Sequence, residues 1–199
     1  MSQIQPHAPS PTPPTRHGAQ AAGPENRAVA ELAAAVAAAC EGAPEEMSRR
    51  VQAALVRAAA DPTLLSPAER EPREDRYARH VIHSDAQGRF TILSIVWGPG
   101  QFSAPHAHHT WCGYAVRQNS LRETLYAMNT KGKAEPVRTE PRNPGFSCFA
   151  EAGLDQIHKL GNPGGAPAIS IHVYGVDHEH ISSHVNRMVD AEDDAACPN

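Results

Sequence analysis

A mainly β domain, either a sandwich or a small barrel, with a helical hairpin ahead of it is the fold class this sequence predicts. Three observations predict it. From about Arg79 onward, short runs rich in β-branched and aromatic residues alternate with turns built from Gly, Pro, Asn or Asp. Residues 26–60 instead space their apolar side chains at helical intervals. The chain has 199 residues and a mass of 21.4 kDa, enough for one ordinary domain and a little more, but not for two full ones.

Taken in order, residues 1–25 carry Pro6, Pro9, Pro11, Pro13, Pro14 and Pro24 among polar residues and glycines. Such a segment buries too little apolar surface to fold alone and reads as a disordered tail. It has no cationic start followed by an apolar stretch, so it does not read as a secretory signal. The run ENRAVAELAAAVAAACEG then sets Val29, Leu32, Ala33 and Val36 on one helical face. EEMSRRVQAALVRAAADP repeats the pattern with Met47, Val51, Leu55 and Val56 or Ala59. Gly42 and Pro44 punctuate the gap, and Asp61-Pro62 ends the second helix. The result is a helical hairpin over 26–60 whose apolar face must pack on something else. Ser66-Pro67 opens one further short helix.

The expected strands are HVIHS, RFTILSIVWG, WCGYAVRQ, LRETLYAMN, FSCFA, DQIHKLG and AISIHVYG, within a β unit spanning residues 61–189. Residues 190–199 are acidic and read as a frayed tail.

Composition excludes several functions. Lysine plus arginine is 18 against 22 acidic residues, a net charge of -4, and no clustered basic face marks a nucleic-acid binder. The longest apolar-leaning run, Ala28–Ala39, contains Glu31 and is too short to span a bilayer. Cys40, Cys112, Cys148 and Cys197 form no CxxC pair and no regular framework. They read as reduced thiols of a cytoplasmic protein. A monomer or a weak homo-oligomer is expected.

The unusual count is 12 histidines. The informative stretch runs from Gly98 to Cys112 and contains His106-Ala107-His108. Residues i and i+2 of a strand point the same way, so His106 and His108 can present two imidazoles to one metal ion. A third ligand must come from another strand, and His158 and His172 are both open candidates. His109 faces the opposite side. His80, His83, His178, His180 and His184 show no fixed spacing.

The stretch resembles the first cupin motif, a glycine, five residues and then HxH, through Gly100, His106 and His108. His158 and Asn162 resemble the second, a histidine with asparagine four positions on. Where many cupins carry a ligand glutamate, this chain has Cys112. With that departure the run from Tyr77 to Tyr174 resembles cysteine dioxygenase type I and its bacterial thiol dioxygenase relatives. The segments that carry the resemblance are YARHV, HAHHTWC, SLRETLYAM and AISIHVYG.

The resemblance implies a cupin-type jelly-roll barrel and an Fe(II) cofactor held by His106, His108 and His158. It implies Tyr174, His172 and Ser170 as a hydrogen-bond relay at the site, and Cys112 as a thiol able to join Tyr174 through a thioether. Arg79 stands where cysteine-type members hold the substrate carboxylate, a role suited to a planar two-toothed donor. Tyr77 and Arg187 are candidate rim groups of the substrate pocket. The implied substrates are O2 and a small thiol bearing a carboxylate, whether L-cysteine, 3-mercaptopropionate or mercaptosuccinate. The implied product is the sulfinic acid. Two other readings stand beside this one, a non-catalytic ligand-binding or regulatory cupin and a zinc cupin isomerase, since zinc also accepts three histidines.

Overall fold

Helix α1 (Arg27–Cys40) starts at Asn26, whose side-chain oxygen accepts from the backbone N–H groups of Ala28 (3.0 Å) and Val29 (3.4 Å). The same amide donates to the carbonyls of Thr63 and Leu64 and so pins the helix start to the chain that follows the hairpin. This computed structural model describes residues 26–192. The proline-rich segment 1–25 and residues 193–199, with Cys197, lie outside the described residues.

Helix α2 (Pro44–Ala60) takes Pro44 into its first turn, where a missing N–H costs nothing, so the gap between the helices is shorter than expected. Glu45 and Glu46 near its start and Arg57 near its end oppose the helix dipole favourably. Val51, Ala54, Leu55, Ala58 and Ala59 are buried, while Val56 is exposed, so Ala59 and not Val56 completes the inward face. Ser66-Pro67 leads into a single 3-10 turn at Ala68–Arg70.

The strands are β1 (Ala78–Ser84), β2 (Thr91–Trp97), β3 (His106–His108), β4 (Cys112–Gln118), β5 (Leu121–Met128), β6 (Ala134–Arg142), β7 (Ser147–Ala150), β8 (Gly153–Gly161), β9 (Ala168–Tyr174) and β10 (Asn186–Met188). They form two antiparallel five-stranded sheets, in the orders β1-β2-β9-β4-β7 and β10-β3-β8-β5-β6. The fold is thus mainly β, of cupin type, with two helices at the N-terminal side.

The first sheet is covered on both faces, and all seven residues of β2 are buried. Ile92 and Val96 join the core shared with the helices, while Leu93, Ile95 and Trp97 join an inner core with Leu121 of β5 and Leu160 of β8. The helices sit close. A Cβ on Gly113 of β4 would lie 3.1 Å from side-chain atoms of both Leu55 and Val51. Gly113 therefore lets α2 press on the back of the strand whose neighbours, Cys112 and Tyr114, face the inner cavity.

Beyond the seven expected runs and the His106–His108 strand, two strands were not expected. β6 contains Pro136 and Pro141, which argue against a central strand, but it is an edge strand whose one neighbour in the sheet is β5. β10 is three residues long and pairs with β3. The acidic end also differs from a tail frayed from residue 190. The Ala134 N–H donates to the Asp190 carbonyl (2.8 Å), and the Glu192 N–H to the Ala134 carbonyl (2.9 Å). Among the described residues Cys40, Cys112 and Cys148 are free thiols, and no helix is long and apolar enough to cross a membrane.

Candidate metal centre

β3 and β8 pair antiparallel with His106 directly opposite His158, and strand alternation sets His108 on the face of His106. The three rings converge, with centroids 4.7 Å apart for His106 and His158 and 5.1 Å apart for each of the other two pairs. One nitrogen of each can be chosen so that all three lie within 4.8 Å of one another. All three residues are buried.

Two of the three have their outer nitrogen already engaged. His106 Nδ1 donates to the Ala104 carbonyl (2.8 Å), and His158 Nδ1 donates to Glu123 Oε1 (2.6 Å). This leaves both Nε2 atoms as lone-pair donors. His158 Nε2 is buried and has no hydrogen-bond partner among the described residues. An orphaned acceptor facing two further imidazoles is the condition a metal ion relieves, so the residues fit one. Burial, reinforced by the neighbouring imidazole of His158, lowers the pKa of His106 to about 3 and that of His108 to about 2. Both rings are neutral near pH 7, as metal ligands must be.

His172 is not in this cluster. It lies on β9 between Ser170 and Tyr174, and the three alternate onto the inner face. Ser170 Oγ is 2.8 Å from His172 Nε2, and Tyr174 Oη is 3.1 Å from His172 Nδ1. The Trp97 indole N–H, on the neighbouring β2, donates to Ser170 Oγ (2.9 Å). Ser170 is fully buried, so its own proton needs an acceptor, and His172 Nε2 supplies one. The tautomer that satisfies every group therefore carries its proton on Nδ1, which donates to Tyr174 Oη. The phenolic proton is then left for the cavity. Burial raises the Tyr174 pKa, as does the nearby Cys112, so the phenol keeps that proton. Tyr114 stacks on the other neighbour side of His172 at 5.2 Å and helps hold its plane.

The cavity between the sheets is lined by His106, His108 and His158 together with Arg79, Tyr77, Cys112, Tyr114, His172, Tyr174 and Asn186, among others. It holds about 420 Å³ of atom-free space, part of it open to solvent. Arg79, from β1, is buried and donates through one terminal nitrogen to the Ile181 carbonyl (3.0 Å). Tyr77 packs on Trp97 with centroids 4.5 Å apart. Cys112 stands directly opposite Tyr174 in the β4–β9 register, and its Sγ is 3.4 Å from His108 Nε2. Burial raises the Cys112 pKa well above the ordinary thiol range, so it is a neutral thiol near pH 7.

Arg187 is a correction. It is exposed on β10 and lies outside the cavity lining. Asn186, one residue earlier and opposite His108, is the β10 residue that lines the cavity, because successive strand side chains face opposite sides.

Sequence reasoning missed Trp97 and Glu123. Trp97 left no signal beyond membership of an apolar strand. Glu123 did leave one. It alternates with Leu121 in SLRETLYAM, so an acid sits on the core-facing side of a strand. It is 3% exposed, and its second oxygen accepts from Arg142 Nε (2.7 Å). Burial alone would raise its pKa, but His158 and Arg142 outweigh that and hold it below the ordinary carboxylate value.

The family model for cysteine dioxygenase type I matches residues 71–187, more than half of the chain. The chain belongs to that family. Among solved structures, an uncharacterised conserved protein with a double-stranded β-helix domain from Klebsiella pneumoniae is similar at 17% identity and a TM-score of 0.47, over 66% of this chain and 94% of that one. The TT1209 protein of Thermus thermophilus is similar at 17% identity and a TM-score of 0.44, over 56% and 96%. The polyketide cyclase RemF of Streptomyces resistomycificus is similar at 21% identity and a TM-score of 0.44, over 62% and 79%. The family match contains every residue named in the cavity and leaves out α1 and α2.

Proposed function

We propose that this member of the cysteine dioxygenase type I family is an Fe(II)-dependent thiol dioxygenase. It converts a small carboxylate-bearing thiol (L-cysteine, 3-mercaptopropionate or mercaptosuccinate) and O2 to the corresponding sulfinic acid. The observation that carries the reading is the shared cavity. A three-histidine cluster with an unpartnered Nε2, a buried arginine and a tyrosine at the end of a closed relay all line it. The balance is simple, since both oxygen atoms join the thiol sulfur and no external reductant is needed. Iron held by His106, His108 and His158 would supply open coordination positions and one-electron chemistry for the thiol and O2.

The protein groups do the remaining work. Arg79 has one N–H engaged by Ile181, which steadies the guanidinium, and its other donors can pair with a substrate carboxylate. Tyr77, packed on Trp97, flanks that position. Tyr174 offers its proton to the reacting groups, with Ser170 and His172 fixing which way that proton points. The Cys112–Tyr174 register supports a thioether between the two side chains, formed with loss of the thiol hydrogen and one ring hydrogen to O2, which is reduced to hydrogen peroxide. The free thiols at Cys40, Cys112 and Cys148 support a reducing, cytoplasmic setting.

The test is an oxygen electrode with iron-loaded protein and a panel of small thiols. Uptake with a carboxylate-bearing thiol and recovery of its sulfinic acid are expected. Silence across the panel with iron bound overturns the reading.

A further inference from the structure

One buried charged group takes no part in the chemistry above. Glu123 on β5 lies behind the histidine cluster, and each of its oxygens has a separate duty. Oε1 accepts from His158 Nδ1 at 2.6 Å, and Oε2 accepts from Arg142 Nε at 2.7 Å. Arg142 is itself held by Glu140 and by the Phe146 ring, whose centroid is 4.3 Å from the guanidinium carbon. The β5–β8 pairing sets His158 opposite Leu125, so the glutamate two residues earlier reaches the imidazole along the inner face. His106 by contrast leans only on a backbone carbonyl, and no carboxylate stands among the three ligand candidates.

Three neutral imidazoles return no charge to a cation. A carboxylate one imidazole away does so in part, because its hydrogen bond draws the Nδ1 proton and enriches the opposite nitrogen. The same bond fixes the tautomer and aims the orphaned Nε2 into the cluster.

We propose that Glu123 is a positioning residue for the metal, holding His158 in its ligating tautomer and supplying the negative charge that the all-histidine set lacks. This rests on the metal-binding reading of the cluster, though not on the identity of the thiol.

The test uses the full chain loaded with iron. Fe(II) affinity is measured by anaerobic competition with a ferrous chelator, and the ferric/ferrous potential by mediated titration. Glu123→Gln keeps an acceptor for His158 but removes the charge. Fe(II) affinity is expected to fall about 10–100-fold. Ferric affinity is expected to fall about tenfold further, a rise of about 59 mV for one electron. Glu123→Asp, which keeps the charge, restores the potential towards that of the parent. The amide introduced by Glu123→Gln would face Arg142 with an N–H group, so Glu123→Gln/Arg142→Met provides a second variant without that conflict.

If either glutamine variant folds, by far-UV circular dichroism, and keeps both the parental affinity and potential, the proposal is overturned. It also falls if the parent chain binds no iron. A parent that binds iron with a Glu123-dependent potential yet oxidises no thiol leaves this inference standing while the dioxygenase reading fails.

Discussion

Replacing Ser170 with alanine removes a single oxygen atom, and the structure says what that atom does. Ser170 Oγ accepts from the Trp97 indole (2.9 Å) and lies 2.8 Å from His172 Nε2. Trp97, Ser170 and His172 are all buried, so water does not replace the lost partner. Two polar groups are orphaned at once. Each costs about 1–3 kcal/mol when left buried and unpaired, so Ser170→Ala destabilises by about 2–6 kcal/mol. That is a large share of the roughly 5–15 kcal/mol of a typical domain. A second effect follows from the tautomer. Without the serine proton at Nε2, His172 is free to carry its proton there and accept from Tyr174 at Nδ1, which turns the phenolic proton away from the cavity. Thiol-dependent oxygen uptake should fall by about 10²-fold, the low end for a displaced proton donor, while iron content stays near parental. Urea unfolding of the iron-loaded protein reads the first effect, and the oxygen electrode with parallel metal analysis reads the second. Ser170→Thr keeps the hydroxyl and should recover most of the activity. An alanine variant within about 0.5 kcal/mol of the parent and with unchanged turnover would refute the relay.

Three further outcomes are expected. Arg79→Gln raises the Michaelis constant for carboxylate thiols about tenfold or more with iron content unchanged, by loss of a charge-assisted pair. Iron loss in its place would make Arg79 structural. Intact mass of the denatured protein after turnover shows a species lighter by two hydrogens, absent from Cys112→Ala and Tyr174→Phe, because these residues oppose one another in the β4–β9 register. A parental mass after many turnovers removes the thioether. Asp85 accepts from Arg89 Nη2 (2.8 Å) and Nε (2.9 Å), and these bonds lower its pKa to about 2. A depressed carboxylate stabilises the fold above its unfolded pKa of about 4, and that stability is lost as the pH falls through about 2. Asp85→Asn should therefore flatten the stability curve between about pH 4 and 2 by about 1 kcal/mol, allowing for solvent screening of the pair. An acid limb identical to the parent contradicts this.

Much of this architecture could be read before folding was considered, because it is written in local periodicity. Helical spacing over residues 26–60, the β-rich run RFTILSIVWG and the alternation of Ser170, His172 and Tyr174 in AISIHVYG are each properties of a few consecutive residues. The same logic put His106 with His108, and Ser170 with His172 and Tyr174. It failed where runs are too short or chemically atypical. Three residues of β10 give no phase, so the chain offers Arg187 as a rim group while the fold turns Asn186 into the cavity. Pro136 and Pro141 hid β6, since its tolerance of proline comes from lying at a sheet edge.

The sequence by itself determined the residue types at the centre, their strand faces and, through motif order, the family. The motif resemblance names His158 as the third histidine, and the tertiary structure supplies the physical reason. Strand alternation by itself admits both His158 and His172, while the spacing of His158 to Asn162 points to His158. Pairing of β3 with β8 brings His158 against His106, while pairing of β9 with β2 and β4 places His172 among Ser170, Tyr114 and Tyr174. Glu123 is the same case. Its acid was visible in the chain, but its partners His158 and Arg142 are 35 and 19 residues away. Hydrogen bonds over such distances exist only once strands have chosen neighbours and excluded water, and that choice is made by the whole core rather than by any local segment.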